Sequence, residues 1–468
     1  MSAGWICPGR KSVSYFPAVA SRGRARKPPP VDAAAIGRFR RLLGGGGAAA
    51  VDSFAVLDLL KGCFSEPIAR QAHTIITKLG MGGVVFLRTA LISLYSRTGQ
   101  LADAHEVFVG VSGPEKNAAC WTSLIAACVG NGEPQVALRF FREMQAAGVE
   151  PDKVTLTAAL SACADLGALA SGAWIHAYAV RLTDKKNNKK KSFSGDLILR
   201  NALINMYTKC GDISNARRLF DLGPHRDVTT WTSMIVGYAL NGRAEEALKL
   251  FGELQATQQR SHLVSPNQVT FVGVLMACSH AGRVGEALQH LRSMREEYRV
   301  EPQISHYGCV VDGLCRAGRL QEALEFAEAM PIRPNAVVWR TLLGACAARG
   351  ELAGAARARR RLLEMEPQRE HAGDDVAMSN AYAAAGVWGA KEGVRRRRRR
   401  EPGCSLIELE GRVHEFVAGD RRHPRRREIV HLLQGIAEIS STPSSEKIGL
   451  PAFREEFGLF SISGSKIF

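Results

Sequence analysis

The chain has 468 residues, 46% of them hydrophobic, and a formal net charge of +17. That apolar content is enough for a large core, ordinarily in two or three globular domains unless internal repeats are present. A basic surplus of this size points to a polyanionic partner such as nucleic acid. No apolar run approaches the roughly 18 residues that would span a bilayer, so no membrane domain is expected.

The first 50 residues hold no acidic side chain before Asp32. They carry Arg10, Lys11, Arg22, Arg24, Arg26 and Lys27 among Ser2, Ser12, Ser14 and Ser21. A basic, serine-containing, acid-poor stretch has the composition of a mitochondrial or plastid transit peptide leading into a linker, with a disordered basic tail as the alternative.

From residue 53 onward a glycine ladder sets the frame: Gly99, Gly132, Gly167, Gly211, Gly242, Gly282, Gly318, Gly350 and Gly386. Apolar stretches such as Ala90-Leu91-Ile92 and Ala202-Leu203-Ile204 precede the glycines. Five residues after most of them comes Ala (Ala104, Ala137, Ala216, Ala247, Ala287, Ala323, Ala355), and four later often an aromatic (Phe108, Phe141, Phe220, Phe251). Glycine ends a first helix because it takes a left-handed cap without steric penalty. Ala lets two helices cross closely, and i, i+3, i+4 apolar spacing gives each helix one sticky face. A single hairpin cannot bury that face, so neighbours must stack. The pattern predicts an all-α fold, a right-handed superhelical solenoid of helix-turn-helix repeats. Eleven cysteines occur without a C-x-x-C pair, several at like places in successive repeats (Cys128, Cys163, Cys278), which reads as reduced core residues, not disulfides or metal ligands.

Unit lengths vary in rotation. Long units begin at Ser53, Lys153 and Gln268, short ones at Val85, Leu197 and Ile304, standard ones at Ala118 and Val228. The unit at Lys153 carries an insertion from Asp184 to Lys191, expected to be a solvated basic loop. Extra residues between Gln255 and Ser265 displace Asn267 from strict spacing. Arg395 to Arg400 form an unbroken run of six that could clamp phosphates or be a drifted surface.

Particular strings carry a family resemblance. Cys120-Trp121-Thr122-Ser123-Leu124-Ile125, Gly148-Val149-Glu150-Pro151-Asp152 and Ala202 through Gly211 resemble the plant pentatricopeptide repeat, and the rotation of unit lengths resembles its PLS subclass. The Trp-Leu-Gly-Tyr signature of the tetratricopeptide repeat is absent. Trp339 to Cys346 looks like the start of an E extension (336–400). Glu401 to Leu409, Val413 to Asp420 and His423-Pro424 look like an E+ extension (401–440), with the array at 53–335 and a degenerate tail at 441–468.

The resemblance implies one repeat per nucleotide of single-stranded RNA, read by the fifth and last residues of each unit, with apolar second residues sandwiching the base. It assigns Thr89 with Asn117 to A, Thr122 with Asp152 to G, Thr157 with Asp196 weakly to G, Asn201 with Asp227 to U, and Thr232 with Asn267 to A. Leu57 with Val84, Val272 with Gln303, and Gly308 with Asn335 give no base. The expected core is A-G-(G)-U-A. Many relatives end in a DYW cytidine deaminase, which needs H-x-E and C-x-x-C zinc ligands. Neither motif occurs in these residues, and Ser444 stands where a ligand His would belong, so no enzyme and no cofactor are expected. The expected role is site recognition for C-to-U editing of mitochondrial or chloroplast transcripts, with a deaminase recruited in trans. A splicing, stability or translation factor and a protein-binding scaffold are the alternatives.

Overall fold

The computed structural model describes residues 53–62, 66–111, 116–186, 196–223, 225–261, 264–366, 372–389, 404–409, 412–417, 427 and 431. The basic N-terminal stretch, most of the Lys-rich insertion, the Arg395 to Arg400 run and the 441–468 tail lie outside these residues.

Successive helical hairpins build the array. First helices are α1 (Ser53–Gly62), α3 (Val85–Arg97), α5 (Ala118–Gly130), α7 (Lys153–Leu166), α9 (Leu197–Lys209), α11 (Val228–Leu240), α13 (Gln268–His280), α15 (Ile304–Arg316), α17 (Ala336–Arg349) and α19 (Ala372–Ala384). Second helices alternate with them: α2 (Glu66–Lys78), α4 (Leu101–Val109), α6 (Pro134–Ala146), α8 (Leu169–Lys186), α10 (Ile213–Leu222), α12 (Ala244–Ser261), α14 (Val284–Glu296), α16 (Leu320–Glu328) and α18 (Leu352–Met365). The starts of α1 to α15 among the first helices coincide with the unit starts read from the repeat pattern.

The glycine ladder forms the hairpin turns. Gly99 has φ 80° and Gly211 φ 85°, and all the other ladder glycines are likewise at positive φ. The residue after each glycine donates back across the turn, as Gln100 N does to Tyr95 O at 2.8 Å and Asp212 N to Tyr207 O at 2.9 Å. That bond satisfies a carbonyl the helix end would orphan. Replacing Gly211 by Ala should cost about 1–2 kcal/mol, the price of a Cβ in the left-handed region, and Asn should cost less. Urea unfolding of the two variants checks this, and equal stability of Gly211→Ala and wild type would show that the turn does not need that φ.

Packing is continuous from Val56 to Ala381. The repeated alanines are at helix crossings, with Ala104, Ala137, Ala216, Ala247 and Ala323 each 0% exposed. A Cβ on Gly237 would lie 2.3 Å from Thr208 Cγ2, so α11 can approach α9 only because that side chain is absent. Aromatics on second helices stack edge-on to the fourth residue of the next first helix: Phe108 on Trp121 (4.7 Å), Phe220 on Trp231 (5.1 Å) and Phe251 on Phe271 (5.6 Å).

Contacts between helices set the curvature. Each first helix packs on the first helix of the next unit, and second helices pack on their own first helix and on that of the next unit. Among the described residues only α16 and α18 meet closely as second helices. The layer with close spacing lies on the inner side of a curved stack, so the first helices line the concave surface.

The all-α expectation holds across the array. Beyond it, Cys404–Leu409 (β1) and Arg412–Val417 (β2) pair antiparallel, with Cys404 opposite Val417 and Leu409 opposite Arg412. The described cysteines are free thiols, seven of them buried. Burial pushes the thiols of Cys128, Cys278, Cys309 and Cys315 up to about 12, which keeps them protonated. No described helix is long and apolar enough to cross a membrane.

Candidate nucleic-acid interface

The last residue of a unit is the N-cap of the next first helix. Asn117, Asp152, Asp196, Asp227 and Asn267 accept from the backbone N–H three residues on, at 3.1, 2.7, 3.3, 2.8 and 3.0 Å. Such a cap contributes about 1 kcal/mol over Ala. Capping alone accounts for an Asp or Asn there. It does not account for the polar fifth residues, which sit between adjacent first helices where an apolar side chain would be cheaper to bury.

Those fifth residues are joined to the caps through a side chain absent from the sequence reading: the third residue of the following unit. Thr122 Oγ1 lies 2.6 Å from Thr155 Oγ1, and Thr155 Oγ1 donates to Asp152 Oδ1 at 2.7 Å. Thr232 Oγ1 lies 2.7 Å from Thr270 Oγ1, which donates to Asn267 Oδ1 at 3.1 Å. Asn201 reaches its partner directly, its Nδ2 donating to Asp227 Oδ1 at 3.1 Å, while Thr230 Oγ1 lies 2.8 Å from Asn201 Oδ1 and 2.7 Å from Asp227 Oδ1. Thr155, Thr230 and Thr270 are each 0% exposed. Their signal was in the sequence: a cap residue followed three positions on by Thr is the spacing of a capping box.

The first pair is looser. Thr89 Oγ1 donates to Val85 O at 2.9 Å and lies 3.4 Å from Cys120 Sγ, whose backbone N–H bonds Asn117. Thr157 and Asp196 are not brought together. Thr157 Oγ1 turns back to Lys153 O at 2.8 Å, and Asp196 Oδ2 pairs with Lys153 Nζ at 2.5 Å. The third residue there is Leu199, which is apolar and cannot bridge. Asn267 keeps the cap position despite the extra chain length, because α12 extends to Ser261 and takes up the added residues. At α17 the fifth residue is Arg340, held by Glu366 at 2.5 Å and Asp374 at 3.0 Å, so an ion-pair cluster replaces the neutral link.

Charge follows from these bonds. Burial pushes the Asp227 carboxyl up, but hydrogen bonds from the Thr230 hydroxyl, the Thr230 N–H and Asn201 outweigh it and hold it below the usual carboxylate range. Burial likewise opposes ionisation of Asp196, and Lys153 with the Leu199 N–H overrides it. Both are therefore acceptor-only at neutral pH.

Beside the polar pairs runs an apolar one. The second residues of the first helices include Phe54 (65% exposed), Val154 (62%) and Ile198 (69%), with Phe86, Val269 and Val337 also exposed. Phe54 and Phe86 stack at 5.6 Å. Large apolar side chains standing in water at one position of six units mark a candidate contact surface.

At the third position of α15, His306 Nε2 donates to Gln268 O at 2.8 Å and its Nδ1 accepts from Gln303 N at 2.9 Å. Burial lowers the pKa of His306, and that of His176, below 6.5. A folded-state value below the unfolded one means that the unfolded chain binds the extra proton. Stability is therefore complete above about pH 6.5 and declines as pH falls toward the folded values. Urea midpoints from pH 7.5 to 5.5 should drop, with a shallower slope for His306→Asn; a midpoint independent of pH would contradict this assignment.

A close-packed layer of first helices that carries cap-linked polar pairs in several units and exposed apolar second residues in others defines a helical-repeat solenoid. Models of the PPR repeat family match residues 116–165, and those of the PPR repeat match 87–109, 199–223, 229–256, 269–298 and 299–331. A pentatricopeptide repeat-containing protein of Arabidopsis thaliana is 38% identical over 422 residues, covering 82% of this chain and 76% of that protein. The chain belongs to the pentatricopeptide repeat family.

Two other Arabidopsis thaliana members, one named chloroplastic/mitochondrial and one mitochondrial, are 39% and 37% identical over 81% and 82% of this chain. This chain spans 60% of the length of each. Among solved structures, the pentatricopeptide repeat protein PPR10 bound to an 18-nt psaJ RNA element superposes with TM-score 0.58 at 17% identity, covering 77% of this chain and 52% of that one. The structure of PPR10 from maize superposes with TM-score 0.52 at 18% identity over 77% of this chain and 50% of that one.

Proposed function

We propose that the concave layer binds single-stranded RNA with one nucleotide per unit, and that the chain recognises sites for C-to-U editing in a mitochondrion or chloroplast. The observation that carries RNA reading is the repeated link from fifth residue to third residue to cap. Its hydrogen-bond directions sort the bases. An ionised Asp152 only accepts, so Thr155 donates to it, Thr122 donates to Thr155, and the pair faces the groove with acceptors alone. The N1–H and N2–H₂ donors of G fit such a pair.

Asn267 Oδ1 is taken by Thr270, so Thr232 again offers lone pairs while the Asn267 amide offers N–H. That set meets the N6–H and N1 of A. Thr89 with Asn117 has the same polarity. In the Asn201 and Asp227 pair, the second amide N–H donates and the free carboxylate oxygen accepts, which matches the carbonyl and N3–H of U. The exposed Val154, Ile198 and Val269 would pack on base faces, each contact worth less than the roughly 1–3 kcal/mol of an aromatic stack.

The full chain should bind an RNA carrying A-G-G-U-A more tightly than a scrambled one, and affinity should fall with salt in proportion to phosphates neutralised by its basic side chains. Equal, salt-insensitive affinity for both would favour a protein-binding scaffold instead. The editing role rests on the strings from Trp339 and Glu401, which resemble the E and E+ extensions of the PLS subclass, with a deaminase acting in trans. Sequencing organellar cDNA from a loss-of-function plant should reveal an unedited cytidine downstream of a matching site. Intact editing with retained introns or altered transcript ends would support a splicing or stability role.

A further inference from the structure

The hairpin formed by α13 and α14 differs from its neighbours at one place. The eighth residue after the turn glycine is apolar in the surrounding units: Val107, Phe140, Ile175, Leu219, Leu250 and Phe326. After Gly282 it is His290. The fourth residue before the glycine is Cys278 and the fourth after it is Glu286. The thiol sulfur, a carboxylate oxygen and an imidazole nitrogen of these three all lie within 4.8 Å of one another. Other hairpins hold only part of the set: Cys128 faces Val136 and Phe140 at the corresponding positions, and Cys163 faces Ser171 and Ile175.

We propose that Cys278, Glu286 and His290 form a binding site for one divalent transition-metal ion of the zinc class, with water completing four-coordination. The chemistry of the set is that of zinc, which takes sulfur, imidazole nitrogen and carboxylate oxygen in tetrahedral sites. Glu286 and His290 lie one turn apart on α14, so both project from the same face toward Cys278 on α13. Cys278 is buried, His290 half-buried and Glu286 exposed, which gives the ion an open side toward solvent. His290 packs edge-on to Phe251 at 5.5 Å, and this contact fixes the ring plane. Arg283 Nη1 reaches Glu286 at 3.4 Å but its Nη2 is also held by Glu245 at 2.6 Å, so Glu286 can turn to the metal without stranding the guanidinium. On binding, the Cys278 thiol gives its proton to water and becomes the thiolate ligand. The ion would staple the two helices of one hairpin, and α13 is the helix whose N-terminus carries Asn267 and Thr270.

The test uses the full chain, stripped with chelator and titrated with cobalt(II) alone. Wild type is expected to take up one ion with a thiolate-to-cobalt charge-transfer band, and zinc should displace it. His290→Phe, which restores the side chain found at Phe140, and Cys278→Ala should each lose the band and the bound ion while keeping the wild-type circular dichroism. Cys128→Ala should keep both. A wild-type chain without a thiolate band, or a band equally strong in His290→Phe, would overturn the site, whatever the outcome of RNA binding.

Discussion

Exchanging Asn201 for Thr together with Asp227 for Asn is expected to change the base preferred at that unit from U to A. The double variant replaces a donor and a carboxylate acceptor by an acceptor and an amide donor, which is the arrangement at Thr232 and Asn267. A well-placed base-edge pair is worth about 1–3 kcal/mol of discrimination. Affinity for the A-G-G-A-A oligomer should therefore rise about fivefold to 150-fold relative to A-G-G-U-A. Stability should barely change, since Asn still caps α11 and Thr still meets Thr230 across the helix pair. Competition binding with the two oligomers decides it. If the double variant keeps the wild-type preference, these side chains do not read the base.

The second large effect concerns the core. Phe271 is fully buried and takes edge-on contacts from Phe251 at 5.6 Å and Tyr298 at 5.1 Å, so it ties α13 to α12 and to the segment that follows α14. Phe271→Ala should cost about 3–5 kcal/mol. In a repeat array stability is a sum of unit and interface terms, so the loss should open α12 to α14 before the ends unfold. Hydrogen exchange localises it, and urea unfolding gives its size. Val269, two residues earlier and 38% exposed, is the counterpart. Val269→Ala should leave the urea midpoint unchanged and weaken RNA binding. Equal destabilisation by both would mean that the second position belongs to the core rather than to the groove.

Much of the array was legible in the residues. The glycine ladder marks turns because only a residue free of Cβ strain sits readily at φ 67–85°, and every ladder position adopts it. Unit spacing gave the starts of the first helices, whereas the pairs of the candidate groove came from the family resemblance. The extra length before Asn267 looked like a break in register, because sequence spacing does not say where added residues go; five further residues of helix in α12 relative to α14 absorb them. The bridging hydroxyls of Thr155, Thr230 and Thr270 went unread although their distance from each cap was visible, since a capping box explains them without any partner in another unit. Thr157 with Asp196 was already the weakest assignment, and Leu199 in place of the bridging Thr marks it in the sequence, but the ion pair of Lys153 with Asp196 became visible only in the structure.

What the residues determined by themselves is local: helix period, turn chirality and caps, each settled by atoms within a few residues of one another. What only the tertiary structure decided is which side chains meet across units. Thr122 finds Thr155, Asn201 finds Thr230 and Thr232 finds Thr270 over separations of 33, 29 and 38 residues. Those meetings follow from the first helices packing against one another in a single layer, and a repeat pattern read along the chain carries no record of which faces that packing joins.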